Sequence, residues 1–236
     1  MKKVQIPILE VSNIVKKTKK AQLEGISISV PSGDSLAILC KNNDVCDIMF
    51  EILSGAIKPE KGKIFFKGDD VTGTKNNFGT VERKRRVSKR KTIIDIASAP
   101  IIHRGLVRNM ATLLATKELS SMELEEYGDK PYSSLTDNIA ARGEIFAAYM
   151  CSHELIVINE PFDGLAEDER KAEISRLAEL KKSRKLSLLV FTNNVETALD
   201  LGDTVMVADD GLKSKGMIAV CNNKKKAKER ISELYL

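Results

Sequence analysis

The chain has no tryptophan and only two histidines, and aromatic residues make up 5% of its 236 positions. Single-stranded nucleic acids are held largely by stacking on exposed rings, so nucleic acid is not an expected partner. No apolar run approaches the roughly 18 residues a membrane-spanning helix requires. The opening MKKVQIPILEV carries only a short apolar stretch broken by Pro7, unlike a secretory leader. The four cysteines, Cys40, Cys46, Cys151 and Cys221, lack CxxC spacing. That excludes the usual zinc and dithiol motifs and predicts a reduced, cytoplasmic chain. His103 and His153 each stand apart from any Cys/His cluster, so both read as packing or surface residues, and no metal site is predicted.

What is present describes a globular protein. Hydrophobic residues form 42% of the chain and charged residues 30%, with 38 Lys+Arg against 33 Asp+Glu for a net charge of +5. Two basic runs, Arg83-Lys84-Arg85-Arg86 with Lys89-Arg90-Lys91, and Lys224-Lys225-Lys226 with Lys228, suit either an anionic partner or a solvated face; the second reading is preferred.

Residues 3–39 alternate apolar and polar, with turns at Lys16–Lys20 and Pro31-Ser32-Gly33, which predicts antiparallel strands leading into a buried strand at Leu36–Leu39. Glycines 62, 68 and 73 punctuate a short strand at Ile64-Phe65-Phe66. Ile93–Ile96 reads as a strand, and residues from about 100 to 150 read as helical. Strands then alternate with helices: Leu155–Ile158, a helix over Glu167–Lys182, Ser187–Phe191, a helix at Val195–Leu201, and Thr204–Ala208. That alternation predicts an α/β protein with a mostly parallel sheet.

The stretch GDSLAILCKNNDVCDIMFEILSG, residues 33–55, has the strand–turn–helix frame of a phosphate-binding loop, with its helix predicted over Ile48–Leu53. In such a loop, glycines let backbone N–H groups converge on phosphates and a lysine supplies a cation. Here Cys40, Asn43 and Val45 stand at the glycine positions, Cys46 at the lysine and Asp47 at the Ser/Thr.

With LEVSNIV at 9–15, VPSGDSLAIL at 30–39, ILSGAIKPEKGKIFFKGDDVTG at 52–73 and LIVINEP at 155–161, the chain resembles the nucleotide-binding subunit of an ATP-binding cassette (ABC) transporter over its whole length. The resemblance implies a P-loop NTPase (RecA-like) core with a mostly parallel sheet, an antiparallel β lobe, and an α-helical lobe near residues 100–150, all within one domain spanning residues 1–236. It also implies docking to membrane-embedded transport subunits through the cleft between lobes, and head-to-tail pairing with a second nucleotide-binding subunit.

The functional positions depart from the family. Of the phosphate loop's polar positions only Asn42 matches; Asn43, Cys46 and Asp47 are vestigial. Asn159 replaces the Walker B aspartate. Glu160 matches the catalytic glutamate, and without lysine or metal it reads as an idle residue with a capping or helix-dipole role. The signature LSGGQ becomes Leu135-Thr136-Asp137-Asn138-Ile139; Thr136 keeps a hydroxyl, and it or Ser134 is the expected cap of the following helix. Asn193 stands for the switch histidine and Ala166 for the D-loop aspartate. The linker glutamine, placed near Ala97-Ser98, is missing, since no glutamine follows Gln22. No ring occurs near Thr18, where the family stacks adenine. The expectation is a degenerate, non-hydrolysing subunit that binds neither ATP nor Mg²⁺ and partners a competent ATPase subunit as a heterodimer on the inner membrane face. The alternatives are a weakly active ABC ATPase using Glu160 as base, and a soluble scaffold contacting protein or nucleic acid.

Overall fold

A computed structural model describes residues 6–75, 77–83, 87–160, 162–220 and 224–235. Of the first basic run's opening cluster only Arg83 is described; Lys84, Arg85, Arg86, Cys221 and the proline of LIVINEP lie outside the described residues.

Strands β1 (Leu9–Lys17) and β2 (Gln22–Val30) form an antiparallel hairpin closed by the Thr18–Ala21 turn. Next come β3 (Ser35–Leu39), helix α1 (Asn43–Leu53), β4 (Lys61–Phe66), β5 (Asp69–Asp70) and β6 (Gly79–Val81). Helices α2 (Ile93–His103), α3 (Arg108–Glu118) and α4 (Asp137–Cys151) lead to β7 (Leu155–Asn159), α5 (Glu167–Arg184), β8 (Ser187–Thr192), α6 (Val195–Leu201), β9 (Thr204–Ala208), β10 (Ser214–Ala219) and α7 (Lys224–Tyr235). One sheet has order β2-β1-β4-β5 and is antiparallel; the other has order β10-β9-β3-β8-β7-β6 and is parallel except where β10 meets β9.

The buried apolar runs of the six-stranded sheet follow from its two covered faces. Side chains alternate across a strand, so Ala37 and Leu39, Ile156 and Ile158, and Val205 and Val207 enter the core beside α4, α5 and α6, whereas Leu36 and Ile38, Leu155 and Val157, and Met206 and Ala208 enter the core around α1 and the antiparallel hairpin. Strands buried on both faces lose the polar alternation. The chain therefore has the expected P-loop NTPase arrangement, with its antiparallel lobe and its helices.

Two expectations fail locally. Ile93–Ile96 is the first turn of α2, not a strand: Thr92 accepts from the Asp95 N–H at 3.1 Å while the Asp95 carboxylate accepts from the Thr92 N–H at 3.1 Å. Such a reciprocal cap outweighs the β-propensity of the isoleucines. Helix α1 starts at Asn43, five residues before the predicted Ile48.

Two close contacts fix α4 against the core. A Cβ at Gly79 would lie 2.2 Å from the Ala148 carbonyl oxygen, so only glycine lets β6 meet α4 so closely. The buried Arg142 guanidinium donates to Glu173 of α5 at 2.9 and 2.6 Å, joining α4 to α5.

Candidate functional site

The C-terminal ends of β3, β7 and β8 open onto one end of the parallel sheet, where open α/β folds place their ligands. The phosphate-loop frame lies there, but its backbone is turned inward. Asn42 is the N-cap of α1, and its side-chain oxygen accepts from the Asp44 and Val45 N–H groups at 3.1 and 3.4 Å; the Cys46 N–H donates to the Asn42 carbonyl at 3.3 Å. With Asn43 and Val45 in place of flexible glycines, the helix begins early, and the amides of its first turn are engaged by Asn42. Cys46 is 3% exposed. Hydrogen bonding to Cys40 and burial push its thiol pKa far up, so the lysine position is neutral and sits inside the core.

Asp47 points the other way and is clasped. The Arg83 guanidinium meets one of its oxygens at 2.5 Å, and the Asn159 amide donates to the other at 2.7 Å. Three positions separated in sequence thus converge: the loop's Ser/Thr site, the Walker B aspartate site, and the segment linking core to helices. That linking segment runs from 82 to 92, between β6 and α2, and not near Ala97-Ser98, which are buried inside α2. A guanidinium therefore stands beside the two positions that the resembled family uses to hold a metal. The carboxylate oxygens are already paired with Arg83 and Asn159, and the loop amides with Asn42. This donor set does not fit a magnesium-triphosphate group.

Glu160 has φ of 46°, an uncommon left-handed conformation for a side-chain-bearing residue. Its carboxylate accepts from the Asn193 N–H at 2.5 Å and the Thr192 hydroxyl at 3.1 Å. Burial pushes its pKa up, partly offset by those two hydrogen bonds. The expected capping role is corrected: α5 starts only at Glu167, and Glu160 instead clamps the loop after β8. Asn193, the switch-histidine position, lies in that loop.

Thr136 is not part of this cluster. It is the N-cap residue of α4, yet its hydroxyl bonds the Asn138 side-chain oxygen at 2.6 Å and makes no cap bond, while Ser134 bonds the Pro131 carbonyl. Neither residue caps α4 as expected. Thr18 closes the hairpin turn through the Ala21 carbonyl at 3.0 Å, and Ala166 is the N-cap residue of α5. The His153 ring lies 4.5 Å from that of Tyr149 and is a packing residue. Among the described residues no group of three or more His, Cys, Asp or Glu is placed to hold a metal, and no helix is long and apolar enough to cross a membrane.

Two openings adjoin the cluster. A cleft of about 470 Å³ is lined by Thr18, Lys19, Lys20, Asp47, Arg83 and Asn159. A groove of about 330 Å³ runs between β6, α2 and α4, lined by Val81, Ile96, Pro100, Ala147 and Cys151. On α3 and at its N-cap, Val107, Met110, Leu113 and Leu114 are exposed by 66, 47, 46 and 42%.

Sequence reasoning overlooked Arg83 as a member of this cluster. No predicted strand or motif marked Arg83, which lies two residues past the end of β6 at Val81.

No protein-family model matches the chain. A molybdate/tungstate import ATP-binding protein of Pyrococcus horikoshii is 25% identical over 201 residues, covering 84% of this chain and 58% of that protein. A taurine import ATP-binding protein of Pseudomonas aeruginosa is 24% identical over 191 residues, 81% of this chain and 73% of that protein. The chain thus spans less than two thirds of the first of these relatives. A nucleotide-free ATP-binding cassette from an ABC transporter superposes with a TM-score of 0.79 at 21% identity, over 98% of this chain and 99% of that one. The cbiO1 protein of Clostridium perfringens, part of the transporter complex cbiONQ, gives 0.78 at 19% identity, over 97% and 92%. The relatives and structural neighbours are ATP-binding cassettes of ABC transporters, and this chain has the ATP-binding cassette fold.

Proposed function

We propose that this chain is the degenerate ATP-binding subunit of an ABC-type membrane transport complex, a structural or regulatory partner that neither binds nor hydrolyses ATP. The observation that carries this reading is the closed loop with its clasped carboxylate. The Asp44, Val45 and Cys46 amides are bonded to Asn42, and Asp47 is held by Arg83 and Asn159. A polyphosphate entering there would have to break these bonds, in a site that offers it a thiol where a lysine belongs and two carboxylates, Asp44 and Asp47. Losing a charge-assisted bond costs about 1.5–3 kcal/mol, or one to two decades in affinity.

The transport setting draws on the relatives, which are ATP-binding proteins of import systems. The groove between β6, α2 and α4 and the apolar stripe on α3 suit docking of membrane-embedded subunits, because exposed apolar patches mark interaction surfaces. In this reading the chain sits peripherally on the cytoplasmic face, and a second, competent nucleotide-binding subunit supplies the energy of transport. Calorimetric titration of the purified chain with Mg-ATP tests the central claim. No binding heat is expected at micromolar nucleotide, and micromolar affinity would refute it.

A further inference from the structure

The end of helix α7 lies across the loop cluster. The Tyr235 hydroxyl donates to the Asn193 carbonyl at 3.1 Å, and the Lys41 ammonium sits 4.9 Å from the centre of the Tyr235 ring. Asn193 in turn gives its N–H to Glu160. A single side chain therefore joins the loop that follows β3, the loop that follows β8 and, through Asn193, the residue that follows β7. Burial and the nearby Cys40, Glu160 and Cys46 push the Tyr235 phenol pKa up, so its hydroxyl stays a donor at neutral pH.

The helix is anchored along its length. Ala227 and Ile231 are buried, Lys224 pairs with Asp200 at 2.7 Å, and Lys228 pairs with Glu196 at 3.4 Å. Lys215 donates to the Leu234 carbonyl at 3.4 Å. A Cβ at Gly216 would come 2.8 Å from Leu234, so that glycine makes room for the last turn. The lysines of the second basic run that the sequence offered to an anionic partner are thus partly taken up in holding α7 in place. Lys41, the one cation between Cys40 and Asp47, rests on the Tyr235 ring.

We propose that α7 is an internal cover that orders the three loops in the lone chain, replacing the order that a bound ligand or a facing subunit would impose. This deepens the reading of a nucleotide-free subunit and rests on it. Tyr235 is the contact that ties the loops together, and the cluster is closed without an effector.

The test is amide hydrogen exchange on the full chain without nucleotide, comparing wild type, Tyr235→Ala and Tyr235→Phe. In Tyr235→Ala, exchange at Asn193, Asp44 and Val45 is expected to rise at least about tenfold while β1 and β2 amides keep their rates. Tyr235→Phe keeps the ring against Lys41 but loses the hydroxyl, so its rise should be confined to Asn193. Unchanged rates at all three amides in Tyr235→Ala would overturn the proposal, and so would a rise spread evenly over the chain, which marks general loosening. Mg-ATP binding by the wild type would undo the nucleotide-free reading yet leave this exchange pattern as it stands, so the two failures are distinguishable.

Discussion

Arg83 and Asp47 meet at 2.5 Å across 36 positions of sequence, joining the first residues of the inter-lobe segment to the first turns of α1. The Arg83 side chain is 16% exposed and that of Asp47 36%, so the pair is partly shielded from water and salt. Exposed pairs contribute little; this one also carries the Asn159 bond on its second oxygen.

A double-mutant cycle of Arg83→Met with Asp47→Asn should therefore give a coupling of about 1–2 kcal/mol in urea unfolding, the roughly 1.5–3 kcal/mol of a charge-assisted bond reduced by the partial exposure of Asp47. A coupling near zero would mean the clasp is incidental.

On the proposed reading, introducing a lysine at Cys46 alone should not confer nucleotide binding. Cys46 is buried among apolar neighbours, and a charged lysine there meets a desolvation cost of several kcal/mol. Cys46→Lys is expected to lower the melting temperature and to leave Mg-ATP binding undetectable by calorimetry. Replacing Asn43 and Val45 by glycine together with Cys46→Lys and Asp47→Ser addresses backbone and charge at once, and that variant should gain measurable affinity.

The buried Arg142–Glu173 pair predicts a large stability effect. Their side chains are 5 and 1% exposed, and truncating one partner leaves the other charge buried. Glu173→Ala should cost about 3–5 kcal/mol in denaturant unfolding, with a smaller loss for Glu173→Gln.

Glu160 gives a pH signature. Its folded pKa lies above the ordinary 4.5 because burial penalises the carboxylate. The folded state therefore holds the proton more tightly than the unfolded chain. This contribution to stability is full below pH 4.5 and is lost as pH rises through the folded pKa. Other carboxylates, such as Asp203 and Glu123, are shifted the opposite way, so the informative quantity is the difference between wild type and Glu160→Gln. Relative to the variant, wild type should lose stability as pH climbs from mildly acidic to neutral, and a flat difference would contradict the assignment.

The sheet strands were legible because burial on both faces leaves an unbroken apolar run at Leu36–Leu39, Leu155–Ile158 and Leu188–Phe191. The substituted loop positions were legible because glycine and lysine have functions there that cysteine, asparagine and valine cannot fill. Three features escaped. The cap at Thr92 and Asp95 turned an apparent strand into a helix, since a local side-chain bond overrode propensity. Arg83 was hidden in a charge run whose other members gave no reason to single it out. Tyr235 acts through contacts that exist only once α7 has folded back over the sheet, 42 residues from Asn193 in sequence, and periodicity carries no information at that range.

A clasp made of a guanidinium and a carboxylate has no fuel to run out of. Its bonds use neither metal nor nucleotide, so on the proposed reading chelators and a falling ratio of ATP to ADP leave it shut. Within that reading, a transport complex carrying this chain has one half whose posture ignores the energy state of the cell, against which a moving half can push.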